Sequence, residues 1–237
     1  MWNLPPPPGF IGLDPDGPMR IYSRHLPHWR QEGVTYFVTF RLHDSLPQSR
    51  LRELAALRDE WQRQNVGRSR ASSDASRSTA ATYEAWQQLT RLTMERVERW
   101  LDEGYGSCLL RQAALAECVE RKLRHFDGER YDLWAFVIMP NHVHLLVKPN
   151  SDALHPLERI EQGWKSYSAR EINLARGSTG QIWQEESFDR IVRDEEHLWR
   201  CIQYIGDNPR RAGLSSTQAL RWIRPQWAAL GWGFADS

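Results

Sequence analysis

The stretch "FVIMPNHVHLLV", Phe136 to Val147, sets two imidazoles, His142 and His144, one residue apart in an otherwise apolar run. Side chains at i and i+2 of a strand share a face, so both rings point the same way and can hold one divalent cation, another element supplying the remaining ligands. The spacing alone is a weak signal, since eight histidines in 237 residues give about 0.3 such pairs by chance, and two satisfied core histidines are the ordinary alternative. Further on, Tyr167 and Glu171 stand four apart in "WKSYSAREIN". On a helix that is one turn, about 5–6 Å between Cβ atoms, which sets a nucleophilic hydroxyl beside a carboxylate ligand. A core tyrosine at the rim and a glutamate where an apolar stripe surfaces would explain the same pair.

Three elements must position these groups. "YDLWAFVIM" and "HVHLLVK" read as strands, and Pro140-Asn141 between them favours a turn, which predicts an antiparallel hairpin. After Pro156, a residue suited to the first helical position, Leu157, Ile160, Trp164, Tyr167, Glu171 and Leu174 recur at spacings of three and four. The pattern predicts a helix whose stripe faces the sheet and carries Tyr167 and Glu171 inward. Earlier, "GVTYFVTFRL", Gly33 to Leu42, reads as a first strand, and Leu51, Leu54, Leu57 and Trp61 mark a helix from Pro47 to Gln64. Helices are also expected over Tyr83 to Asp102 and from Ala113 to His125. The small polar residues of Val66 to Thr82 have no period and read as a flexible insertion, residues 1–19 as an extended arm around "PPPP", and residues 215–237 as a C-terminal tail.

Composition narrows the function classes. With 31 Lys and Arg against 30 Asp and Glu the formal charge is +1, so no global basic field announces a nucleic-acid partner and any such site must be local. Twelve Trp residues can fill a core or stack on bases, and composition does not separate the two uses. Three cysteines without a CxxC argue against a disulfide framework or structural zinc and fit a reducing cytoplasm. The longest apolar run, Leu133 to Met139, is far below the roughly 18 residues a spanning helix needs, so no membrane partner is expected.

Taken in order, "PNHVHLLV", "WKSYSAREIN", "WQEESFDRIVRDEEHL" and "YIGDNPRRAGL", with the opening "RHLPHWRQEGVTYFVTFRLHDSLP", resemble the single-tyrosine HUH transposases, in particular the REP-associated tyrosine transposases. The resemblance runs from about Arg20 to Leu214 outside the Val66 to Thr82 insertion. It implies an α+β, ferredoxin-like or RRM-like fold in which helices pack on a central antiparallel sheet, here with a helical insertion. It also implies a Mg²⁺ or Mn²⁺ ion on His142 and His144, a nucleophile at Tyr167, and a third ligand one turn later, where Glu171 stands in place of the usual Gln, with Asn173 as the competing position. The reaction it implies is cleavage and rejoining of single-stranded DNA at hairpins through a 5′-phosphotyrosine. Relatives of this kind work as monomers or as homodimers, and both remain open.

DNA contacts are expected from Arg20, Arg24 and Arg30 in "MRIYSRHLPHWR", from Trp164, Lys165 and Arg170 around Tyr167, and from Arg190 and Arg193. Asn208, Arg210 and Arg211 in "DNPRRAGL" read as a helix stop with some backbone contact. Two other functions compete: a non-cleaving hairpin-binding protein of the same fold, against which an intact tyrosine argues, and an RRM-type RNA binder, whose spaced strand aromatics are absent.

Overall fold

The computed structural model describes residues 4–23, 27–71, 88, 91–152, 154–215 and 217–235. The chain divides into two compact units, one of Met1–His43 with Ser107–Ser237 and one of Asp44–Gly106. The second holds helix α1, Gln48–Ala71, and helix α2, 91–102. Helix α1 runs past the Val66 boundary expected for a flexible insertion; residues 72–82 of that stretch lie outside the described residues. Within this unit Arg50 lies 4.7 Å over the Trp100 ring and Arg96 reaches Glu53 at 3.3 Å.

The first unit is built on strands. A two-stranded ribbon pairs β1, Arg20–Ser23, with β2, Pro27–Arg30. The main sheet contains β3 (Tyr36–Arg41), β4 (Tyr131–Ile138), β5 (His142–Pro149), β6 (Phe188–Ile191) and β7 (Leu220–Ile223), in the antiparallel order β6-β3-β5-β4-β7. This is the α+β arrangement expected from the sequence, including the hairpin, where Met139 N–H closes the Pro140-Asn141 turn on His142 O at 2.8 Å. The region expected as a tail supplies the edge strand β7.

Helices cover both faces. Alternation along β5 sends Val143, Leu145 and Val147 into a core with α3 (Ala113–Arg124) and α4 (Leu157–Arg176). Leu146 goes the other way, into a second core under α5 (Glu195–Arg211), with Phe37, Val137, Leu198, Ile202 and Ile205. A bulge between Leu133 and Ala135 turns Trp134 to that second face, where its ring stacks on Trp227 of α6 (Pro225–Ala228) at 4.4 Å. Residues 4–19 form neither helix nor strand, yet they are fastened down: the indole N–H groups of Trp232 and Trp227 donate to Pro5 O and Pro8 O at 2.9 and 3.0 Å. Trp100, Trp134, Trp164, Trp183, Trp227 and Trp232 are all buried, so this part of the tryptophan excess fills cores. Among the described residues no helix is long and apolar enough to cross a membrane.

Candidate active site

His142 and His144 sit side by side on β5, ring centroids 4.6 Å apart, on the face that α5 covers. Each ring is held through Nδ1. His142 Nδ1 is 2.8 Å from Asn141 Oδ1, so the amide oxygen accepts and Nδ1 carries the hydrogen; His144 Nδ1 is 2.8 Å from Thr39 Oγ1. The Nε2 atom of each is buried with no hydrogen-bond partner. Burial presses the His142 pKa down to about 3 and holds His144 well below its ordinary value, with His142, Arg190 and Arg211 adding repulsion at His144. Both rings are therefore neutral near pH 7, the form in which imidazole ligates metals. A buried ring nitrogen without a partner is costly, whether it carries a lone pair, as on His142, or a hydrogen, so these Nε2 atoms are suited to more than ordinary core packing.

Helix α5 supplies two further groups one turn apart. The Tyr204 ring meets His144 edge-on at 5.1 Å. Asn208 is fully buried, and neither its amide oxygen nor its amide nitrogen has a hydrogen-bond partner. It lies near enough to His142 to favour that ring's proton, but not in the geometry of a hydrogen bond. The sequence places Asn208 there because Leu198, Cys201, Ile202 and Ile205 form the buried stripe of α5 and Asn208 continues it. No group of three His, Cys, Asp or Glu side chains that could hold a metal is found among the described residues, so a third protein donor beside the imidazoles would be the Asn208 amide oxygen. Two neutral imidazoles whose Nε2 atoms lack partners and an unpartnered amide oxygen, all buried, fit a divalent cation.

Cations surround this cluster. Arg41 lies opposite His142 in the β3–β5 register and is buried deeply enough to lower its pKa to about 10. Arg190 stands 4.7 Å over the Phe37 ring, which itself stacks on His144 at 5.5 Å. Arg211 lies 4.8 Å over the Tyr204 ring. Three guanidinium groups thus stand around two uncharged imidazoles.

Helix α4 does not bring its expected residues here. Its buried line is Leu157, Ile160, Glu161, Trp164, Ser168 and Ile172, so the stripe turns with the 3.6-residue period and leaves Tyr167 and Leu174 60% and 80% exposed. The helix also packs on the opposite sheet face from the histidines, and Tyr167 therefore does not complete their site. The partners of Glu171 are Lys122, Arg121 and the Cys118 thiol, and the hydrogen bond from Lys122 leads in pulling its pKa down to about 2. Asn173 ties down the end of α4, its amide N–H donating to Gly180 O and its oxygen accepting from Ser178. Neither is placed to ligate a metal on the histidines.

The expected DNA contacts divide. Trp164 is a core residue, its N–H donating to the Tyr131 hydroxyl at 2.8 Å. Arg30 is buried in a bidentate pair with Asp189 and also reaches Glu158, so it holds β2 against β6 and α4. Lys165 donates to the carbonyls of Gln184 and Glu185. Arg20, Arg170 and Arg193 are exposed, and Arg24 lies outside the described residues. Of that set only Arg190 stands beside the histidines. Sequence reasoning passed over Tyr204 and took Asn208 as part of a helix stop, whereas Asn208 lies buried inside α5; "YIGDN" repeats the one-turn pairing of a tyrosine with an oxygen donor, and Asn208 is a polar residue on an apolar stripe, the signal weighed for α4.

No family model matches the chain, and no curated protein sequence matches it. Among solved structures, a REP-associated tyrosine transposase bound to a REP hairpin is similar at 16% identity over 82% of this chain and 74% of that one, with a TM-score of 0.37. A likeness so distant assigns neither family nor activity.

Proposed function

We propose that this chain is a metal-dependent tyrosine endonuclease and strand transferase of the transposase type, acting on single-stranded DNA hairpins, with Tyr204 as its nucleophile. The observation that carries the reading is the meeting of a tyrosine with two neutral, Nε2-orphaned imidazoles and a buried, unpartnered asparagine beneath three arginines. A phenol and a phosphodiester call for those parts: charge must be drawn from phosphorus, and the phenol, with an ordinary pKa near 10, must be oriented and helped to lose its proton. His142, His144 and Asn208 would hold Mg²⁺ or Mn²⁺, which when bound supplies Lewis-acid activation of the phosphate. The imidazoles themselves are too weakly basic to serve as general bases near pH 7. Arg190 and Arg211 would face the non-bridging phosphate oxygens. The Tyr204 oxygen bonds to phosphorus, the phosphorus–O3′ bond breaks, the phenolic proton passes to water, and the departing 3′ oxygen takes a proton to leave as a hydroxyl. Attack by another 3′-hydroxyl reverses the step on new ends without a nucleotide cofactor.

A second reading rests on burial. His142 and His144 are 1% and 0% exposed, so a phosphate reaches them only when α5 shifts. A protein that kept the helix closed would bind hairpins without cutting them. Labelled single-stranded hairpin DNA with Mn²⁺, resolved on a denaturing gel, decides the matter. Wild type and Tyr167→Phe should both form a covalent protein–DNA band, and Tyr204→Phe should reduce it by about 10³-fold or more. A band that survives Tyr204→Phe and disappears with Tyr167→Phe would refute the assignment, and no band from wild type would favour the binding protein.

A further inference from the structure

A cavity lies on the side of the sheet away from the histidines, where α3 and α4 meet the start of β4. It encloses about 560 Å³, within the range of small-ligand sites. Five basic side chains line it, and no carboxylate does. Its floor is fixed: the Trp164 indole donates to the Tyr131 hydroxyl at 2.8 Å, and that hydroxyl donates to Leu123 O at 2.8 Å. One wall is an aromatic–cation stack, with the Arg130 guanidinium 3.4 Å from the centre of the Phe126 ring and the His125 ring 4.4 Å away. At the rim stand Tyr167, 60% exposed, and Arg159, which has no ion pair among the described residues. Nearby acids are engaged, Glu158 by Arg30 and Glu171 by Lys122 and Arg121, while Glu129 lies 3.8 Å from Arg130 as an exposed pair that water and salt screen.

We propose that this cavity is a nucleotide pocket that takes one unstacked nucleobase between Tyr167 and the Phe126–Arg130 stack, above the Trp164 floor, with the attached phosphate at Arg130 and Arg159. The aromatic surfaces suit any base, because every base has a π-face, and the guanidinium groups suit the charge that accompanies it. Unlike the histidine site, the pocket is open without any movement of a helix. It gives Tyr167 a role that needs its ring and not its hydroxyl. The hairpin reading enters only in naming a source for the nucleotide, a single-stranded base flanking the hairpin; a free mononucleotide offers the same chemistry.

Binding separates the sources without relying on cleavage. Fluorescence anisotropy would compare a labelled hairpin bearing short single-stranded tails with the same hairpin lacking them, and calorimetry would test the four deoxynucleoside monophosphates. Tyr167→Ala and Arg159→Glu should each weaken tailed-hairpin binding about tenfold, leave the tailless hairpin within twofold, and abolish mononucleotide binding. Tyr167→Phe, which retains the ring, should bind like wild type and shows that the fold persists. Mononucleotide binding lost in the variants, with the tailed hairpin unaffected, would identify a free nucleotide as the occupant. Equal losses for both hairpins would reduce Arg159 to general charge attraction and overturn the pocket, as would tailed-hairpin and mononucleotide binding unchanged in both variants. Because these measurements use neither Tyr204 nor metal, failure of the nuclease reading leaves them decisive.

Discussion

The two faces of the central sheet are made by the same strands, yet they are finished in opposite ways. Toward α3 and α4, β5 offers Val143, Leu145 and Val147, and the Tyr131 hydroxyl, the Trp164 and Trp183 indoles and the Ser168 hydroxyl are all hydrogen-bonded, although Glu161 Oε1 on α4 is not. Toward α5, the alternate positions of β5 are His142, His144 and Leu146, and there the Nε2 atoms and the whole Asn208 amide are left without partners. Burying unsatisfied polar atoms costs about 1–3 kcal/mol each. On the α5 side the orphaned atoms of His142, His144 and Asn208 lie together, an arrangement that fits a site held at some cost in stability.

The strongest way to break this comparison is to remove the orphaned groups. Asn208→Leu and His142→Ala should each eliminate cleavage, and excess EDTA should do the same to wild type. Their effects on the metal-free protein should differ. Asn208→Leu replaces an unpartnered amide with an apolar group of similar size and should leave the melting temperature equal to or above that of wild type, within about 1 kcal/mol. Mn²⁺ should then raise the melting temperature of wild type but not of Asn208→Leu. A metal-free Asn208→Leu protein destabilised by several kcal/mol would show that the amide is satisfied after all, and undiminished cleavage in EDTA would remove metal from the reaction.

A second contrast lies within the α4 side, where β2 meets β6. Asp189 accepts two hydrogen bonds from Arg30, at 2.5 and 3.0 Å, and lies 2.6 Å from His28 Nδ1. Burial disfavours its charge, but Arg30 and His28 outweigh burial and keep the carboxyl below its ordinary range. Burial likewise works against a charged His28, and Asp189 and Glu186 overcome it, raising its pKa from 6.5 to about 9. Asp189→Leu strands Arg30 and His28 and should cost about 3 kcal/mol in denaturant unfolding. The signs for pH follow. The His28 contribution is complete below pH 6.5 and fades as pH rises toward 9; the Asp189 contribution is complete above its ordinary pKa of 3.8 and fades below it. Melting temperature should therefore form a plateau between those limits, and His28→Gln should flatten the alkaline decline. A wild-type curve still rising from pH 7 to 9 would contradict the pairing.

What the sequence revealed and what it hid follow from range. Strand alternation and the Pro140-Asn141 turn are local, so the hairpin and the shared face of His142 and His144 could be read directly, whereas the bulge between Leu133 and Ala135 could not. Which helix covers that face is not local: α4 and α5 both carry an apolar stripe interrupted by polar residues, and only the path of the chain around the sheet separates Glu171 and Tyr167 from Asn208 and Tyr204. The β7 edge strand was likewise hidden, because its four residues have too little periodicity to stand apart from a tail. Arg30 reads as a basic surface residue until Asp189 is folded against it.

The smallest expected effect concerns Glu171 and tests whether the two faces are independent. Its carboxylate sits at the surface between α3 and α4, 38% exposed, against Lys122, Arg121 and Cys118. At that exposure, screening by water and salt leaves such a pair worth about 0.5 kcal/mol or less, despite the pKa drawn down to about 2. Glu171→Gln should therefore lower the melting temperature slightly, and the difference should shrink in about 0.5 M salt as the charges are screened. It should also shrink as acid titrates wild-type Glu171, since a carboxyl with a lowered pKa contributes stability above its ordinary 4.5 and loses it as pH falls through about 2. The Mn²⁺ concentration that half-saturates cleavage should stay within twofold of wild type, because the metal would be held on the far side of the sheet. A tenfold increase in that concentration would bring Glu171 into the metal site and require α4 and the histidines to share a face.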